Sequence, residues 1–151
     1  MQASDLIGCW RLLSYVELDD GDVERVGPLG PAPTGLLIYE PSGFMSVSMA
    51  RTPLAGHVDG GVGQETFMGY AGTWRLDGSR VFHQVWVSAH PFQVGRELVR
   101  DASRDDSGEM LTLHGEAVIE GNLQRRRLVW TRQHRPTSNR PPNRPERHNV
   151  R

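Results

Sequence analysis

Lysine is absent from this chain: all 17 basic residues are arginine. A lysine Schiff base is therefore excluded, and so is the lysine of a phosphate-binding P-loop. Arginine codon preference in a GC-rich genome accounts for the bias. Cysteine is nearly absent too. Cys9 is the single thiol, so no intramolecular disulfide can form and no cysteine cluster can hold zinc. No run approaches the ~18 apolar residues of a membrane span. Met1 to Asp5 carry neither a basic region nor a long apolar stretch. A secretory leader is therefore not expected, and the cytoplasm is the simplest location. Stretches of helical period longer than about two turns are also missing.

Several catalytic signatures are lacking as well. There is no Gly-x-Ser-x-Gly elbow. Gly60-Gly61-Val62-Gly63 lacks the preceding strand and following helix of a dinucleotide site. His57, His83, His90 and His114 match no zinc spacing, so no metal and no cofactor are expected.

What is present suits one domain. The chain has 151 residues, enough for a closed sheet of about eight strands around one core. Hydrophobic residues at 37% and charged residues at 23% fit a soluble globular body. The formal charge of −1 is unevenly placed. Residues 135–151 hold five arginines and one glutamate, a net of +4, which leaves about −5 on residues 1–134. An acidic body argues against a nucleic-acid face. The 135–151 segment is rich in Pro, Arg and Asn and nearly free of apolar side chains, so it reads as a disordered tail.

Strand signals fill residues 1–134. Ile7 to Leu18 alternates, with Trp10, Leu12, Ser14 and Val16 on one face and Arg11, Tyr15 and Glu17 on the other. Asp20-Gly21 and Asp77-Gly78 are hairpin pairs suited to positive φ. Phe44 to Arg51 sets Met45, Val47 and Met49 against Phe44, Ser46 and Ser48. Val81 to Ala89 sets Val81, His83, Val85 and Val87 against Phe82, Gln84, Trp86 and Ser88. Further strands are expected at 22–26, 35–40, 70–76, 96–102, 110–113, 116–120 and 123–133, with a short helical turn at 65–69. Residues 52–64 are Gly-rich and polar, a loop long enough to cover a cavity mouth. The expectation is all-β: a sandwich or a single antiparallel up-and-down barrel of about eight to ten strands, with closure removing unpaired edges.

Gly8-Cys9-Trp10 on the first strand and Arg132 on the last resemble the lipocalin pattern, in which an arginine packs over an indole at the closed end. Further segments, in order, resemble the bacterial and fungal lipocalin-like domain family. They are Leu6 to Tyr15, Pro33 to Tyr39, Gly43 to Val47, Tyr70 to Trp74, Val81 to Val85, Ser88 to Pro91 with Gly95, Arg100, and Leu128 to Arg132. The resemblance spans about residues 6–133 and implies a lipocalin-like barrel with a central cavity. It also implies a small apolar organic ligand, while the acidic body and the lack of long apolar runs leave neither nucleic acid nor membrane as an expected partner. Trp86 departs from the family's pattern. An outward indole there would indicate a subunit contact, hence a homodimer, and an inward one would line the pocket.

With the Trp10 face inward, the interior would hold a few polar groups, Ser14, Tyr39, Ser46, His83 and Arg100, among apolar ones. His83, Tyr39 and Arg100 are the expected catalytic residues. His83 would serve as acid or base, Tyr39 as proton donor, and Arg100 would polarise a carbonyl. Ser14, Met45, Val47, Tyr70, Trp74, Val85, Trp86 and Trp130 are expected to contact the ligand. Each also has a plain structural reading as core filler or paired polar group. Because related barrels in natural-product pathways include cyclases and isomerases, some pericyclic, the resemblance implies a cofactor-independent enzyme acting on an apolar polyketide-like intermediate. The alternative is a carrier for an apolar metabolite, with no turnover. His, Tyr and Arg converging within hydrogen-bond reach would favour the enzyme. A third reading is an interaction module using the 135–151 tail.

Overall fold

The structure, a computed structural model, describes residues 1–52, 66–119 and 121–135. Most of the expected 52–64 loop and of the 135–151 tail lies outside the described residues. Nine strands follow one another: β1 (Gly8–Leu18), β2 (Glu24–Val26), β3 (Pro33–Tyr39), β4 (Phe44–Arg51), β5 (Phe67–Asp77), β6 (Arg80–Ser88), β7 (Glu97–Arg104), β8 (Met110–Ile119) and β9 (Asn122–Gln133). Two short 3₁₀ turns, Ala3–Asp5 and Pro91–Gln93, are added. Among the described residues no helix is long and apolar enough to cross a membrane.

Every pairing is antiparallel, and β3 to β9 follow in chain order. The ladder from Cys9↔Gln133 to Leu18↔Arg125 joins β1 to β9 and closes an eight-stranded barrel. β2 is the extra strand. It pairs with β1 only at Val16 to Leu18, while β3 takes Gly8 to Arg11. The up-and-down order puts the last residues of β4, β6 and β8 at one end and the start of β1 at the other.

The end where β1 starts, the lower end, is closed as its residues require. The Trp10 indole is fully buried and donates from Nε1 to the Leu6 carbonyl at 2.9 Å. Arg132 lies 4.2 Å above that ring. Its guanidinium donates to Asp5 O at 2.6 Å, Ile7 O at 3.0 Å and Gly108 O at 3.4 Å. One planar cation thus covers an aromatic face and satisfies three carbonyls that no ladder serves.

Two bulges reset the alternation. In the β1–β9 ladder the register shifts between Leu12 and Ser14. An extra residue on one strand turns everything after it to the other face. Tyr15 is therefore buried, and Ser14 and Val16 leave the core face expected for them. In the β5–β6 ladder Ala71 pairs with Val87 and Gly72 with Val85, which leaves Trp86 as the added residue. Trp86 and Val87 are consequently exposed, although Val81, His83 and Val85 point inward as expected. Gly72 makes this bulge fit, because a Cβ there would stand 1.8 Å from the Gln84 carbonyl oxygen.

Other local expectations change too. Ser46 is exposed, since the inward places on β4 go to Met45, Val47 and Met49. Phe67 to Gly69 pair with Ser48 to Ala50 instead of forming a helical turn. Residues 110–119 form one strand, with Gly115 seated under the Arg100 side chain. Gly78 takes its left-handed turn position at φ 61°, but in the β1–β2 turn that position belongs to Asp22, not Gly21. There the Asp19 carboxylate accepts from the Gly21 and Val23 amides and holds the turn.

Candidate functional site

A cavity of about 500 Å³ lies inside the barrel, toward the end opposite Trp10. Its apolar wall includes Leu37, Val47, Met49, Met68, Leu98, Leu113, Leu128 and Trp130. Tyr15, Tyr70, His83, Arg100 and Arg126 interrupt that wall on the polar side. Pro28, His90, Phe92, Arg96 and Glu116 also border it. A volume of this size, mostly apolar with a few gathered polar groups, is typical of small-molecule sites.

His83 is the hub of the polar side. It is 1% exposed, and both ring nitrogens are engaged. The Tyr39 hydroxyl lies 2.7 Å from Nε2, and the Tyr70 hydroxyl 2.7 Å from Nδ1. Burial, reinforced by the Arg100 charge, lowers the His83 pKa from 6.5 to about 3, so the ring is neutral at ordinary pH. Burial likewise raises Tyr39 and Tyr70, and Arg100 draws both partly back. All three groups are therefore uncharged.

Counting donors orients the chain. A neutral imidazole donates from one nitrogen and accepts at the other. Tyr39 is buried, and among the described residues its hydroxyl has His83 as its one partner. If Tyr39 accepted from the ring, its own proton would be stranded, at a cost of about 1–3 kcal/mol. Tyr39 therefore donates to Nε2, and the ring proton sits on Nδ1 and goes to the Tyr70 oxygen. The Arg100 guanidinium, which lines the same cavity, acts electrostatically on that hydroxyl. The Tyr70 O–H is then free to point at the cavity, which Tyr70 lines.

The structure brings together the three residues expected to be catalytic. Arg100 alternates inward with Leu98 and Ala102 on β7, and it lies on Gly115, where there is no side chain to obstruct it. One of its terminal nitrogens donates to Val99 O at 3.0 Å. Of the expected ligand contacts, Val47, Tyr70 and Trp130 line the cavity. Met45, Trp74 and Val85 are buried but are not among the lining residues. Trp74 supports Tyr39, with ring centroids 4.6 Å apart, and its Nε1 donates to Glu40 O at 3.0 Å. Ser14 does not line the cavity because of the β1 bulge. Trp86 is 58% exposed on the outer face, edge-on to Phe44.

Among the lining residues that the sequence reading missed are Tyr15 and Arg126. Tyr15 enters through the bulge, and Arg126 donates to its hydroxyl at 3.0 Å. Counting back in twos from Trp130 and Leu128 would have found Arg126. Nothing in the sequence marks the bulge that admits Tyr15.

Comparison with known proteins agrees with this architecture. No curated protein is matched. Among solved structures, one similar chain is bovine odorant binding protein in complex with a selenium-containing odorant. It is 13% identical and superposes with a TM-score of 0.50 over 90% of this chain and 75% of that one. At that identity the likeness concerns the fold alone. The family profile of the lipocalin-like domain matches residues 7–133, and the chain belongs to that family.

Proposed function

We propose that the barrel binds a small, largely apolar organic molecule whose polar head accepts a hydrogen bond from Tyr70. The observation that carries this is the oriented chain Tyr39–His83–Tyr70, with Arg100 at its end, set into an otherwise apolar cavity of about 500 Å³. Lipocalin-like membership and the odorant held by the similar bovine protein support it. A neutral fluorescent probe, N-phenyl-1-naphthylamine, tests it. Wild type binds the probe with enhanced emission. Met68→Trp, which fills the cavity from its wall, abolishes binding while the circular dichroism stays barrel-like. Equal binding by both proteins would place the probe elsewhere and sink the reading. Tyr70→Phe weakens ketone-bearing competitors about tenfold relative to their hydrocarbon analogues, the worth of one buried hydrogen bond.

The convergence of His83, Tyr39, Tyr70 and Arg100 favours a second reading, cofactor-independent cyclisation or isomerisation of an apolar polyketide-like substrate. The cavity would confine a flexible chain near its reacting geometry, and Tyr70 with Arg100 would stabilise an oxygen that gains charge. His83 then acts as a positioning residue. A ring with a pKa near 3 between two tyrosines raised by burial is poorly matched to proton transfer at neutral pH. Incubation with a linear precursor gives product above the background rate, and Arg100→Leu and Tyr39→Phe slow it. Full activity in His83→Ala, Tyr39→Phe and Arg100→Leu would assign the work to cavity shape alone. No product from wild type would leave a carrier.

A further inference from the structure

The cavity contains charge that its own walls do not balance. Arg100 faces inward from β7, yet among the described residues it forms no ion pair. Its guanidinium donates to the uncharged Val99 carbonyl, and the neutral Tyr70 hydroxyl lines the cavity beside it. Arg126 enters from the next wall but one. It donates to the Tyr15 hydroxyl at 3.0 Å and to Gln124 Oε1 at 3.5 Å, and among the described residues the one carboxylate paired with it, Glu17, stands off at 3.9 Å. Its Nε is buried without a partner among the described residues. Arg96 borders the same space. Among the lining residues the one carboxylate is Glu116, which is exposed.

Arg96 and Glu116 at the border are both exposed, so the charge on the cavity's polar side is that of Arg100, which has no ion-pair partner among the described residues, and of Arg126, which Glu17 meets only at 3.9 Å. Residues 1–134 as a whole carry about −5. The effect reaches the buried groups: the Arg100 charge bears on His83, Tyr15, Tyr39 and Tyr70 alike. A part-buried guanidinium without a counter-charge is costly, and an anion that enters the cavity relieves that cost. Arg100 and the Tyr70 O–H also present adjacent donors, which suit a head with two acceptor oxygens.

We propose that the natural ligand is an organic acid: an apolar body with a carboxylate that seats between Arg100 and Tyr70, with Arg126 adding to the field. This rests on the cavity being the binding site, and it specifies the head group. The opposite wall, from Leu37 to Met49, takes the apolar body.

Displacement of N-phenyl-1-naphthylamine at pH 7 by decanoate and by 1-decanol tests it, because the two share a chain length and differ in head charge. Decanoate is expected to compete at least about tenfold better than decanol, the order expected of a charge-assisted pair over a neutral one. In Arg100→Gln that ratio falls toward one. Arg126→Gln reduces it by a smaller factor, and provides the comparison should the first variant fold poorly. A wild-type ratio at or below one overturns the acid assignment while the pocket stands. Probe binding that neither compound displaces also overturns it. Failure of wild type to bind the probe at all removes the pocket reading, and this inference with it.

Discussion

A Trp10→Ala variant is expected to lose about 3–5 kcal/mol of stability, the cost of truncating a large, fully buried aromatic side chain. The site explains why the loss falls at the upper part of that range. Trp10 is 0% exposed, its indole nitrogen holds the Leu6 carbonyl, and its ring face is the seat of Arg132. Removing the ring also loosens the guanidinium that serves Asp5, Ile7 and Gly108. Against a typical domain stability of about 5–15 kcal/mol, this is enough to bring the barrel close to unfolding. Urea unfolding followed by far-ultraviolet circular dichroism measures it. A loss below about 1 kcal/mol would show that Trp10 and Arg132 do not hold the lower end together.

The second large effect is a loss of stability in mild acid. His83 is held neutral, with a pKa of about 3 in the folded barrel against an ordinary 6.5. Above pH 6.5 neither state is protonated at this ring, and its burial costs nothing through protonation. As pH falls below 6.5 the unfolded chain takes up a proton that the folded chain refuses, so stability drops with every unit. The loss reaches about 3 kcal/mol by pH 4.5, two units below the ordinary value, and it levels off near pH 3. The carboxyls of Asp5, Asp19, Glu40 and Asp105 are shifted downward, so their native contributions fade only lower in the acid range. The window from pH 6.5 to 4.5 therefore isolates histidine. Denaturant midpoints across it should fall steeply in wild type and much less in His83→Gln, which keeps polar groups for the two tyrosines. Parallel slopes in the two proteins would mean that His83 is not the ring responsible.

Much of this architecture could be read from residue order. Gly8-Cys9-Trp10 and Arg132 marked the closed end through their resemblance to the lipocalin pattern, and the guanidinium over the indole bears it out. Strict alternation on β4 put Met45, Val47 and Met49 inside, and the same alternation excludes Ser46 from the interior where it was expected. The inward aim of His83 followed from its valine neighbours, Val81 and Val85. The bulges were not legible. A period-two reading carries no mark for an added residue, so it placed Ser14 where Tyr15 stands and kept Val87 inside. The polar chain was half legible. Tyr39 and His83 each stand out in the sequence, but their contact joins positions 44 apart, and Tyr70 reaches the other ring nitrogen from a third strand. Such contacts arise from barrel closure, which brings distant strands to face one another across one interior.

The central claim is that a ligand sits against the Tyr39–His83–Tyr70 chain inside the barrel. Nitrogen-15 spectra of the histidine rings during probe titration test it most directly. The account predicts that His83 carries its proton on Nδ1 at neutral pH, and that its ring signals move as the cavity fills. The exposed His114, whose neighbours Leu113 and Gly115 point inward, should stay fixed. Saturating binding with no change at His83, or a ring protonated on Nε2 that donates to Tyr39, would contradict the account.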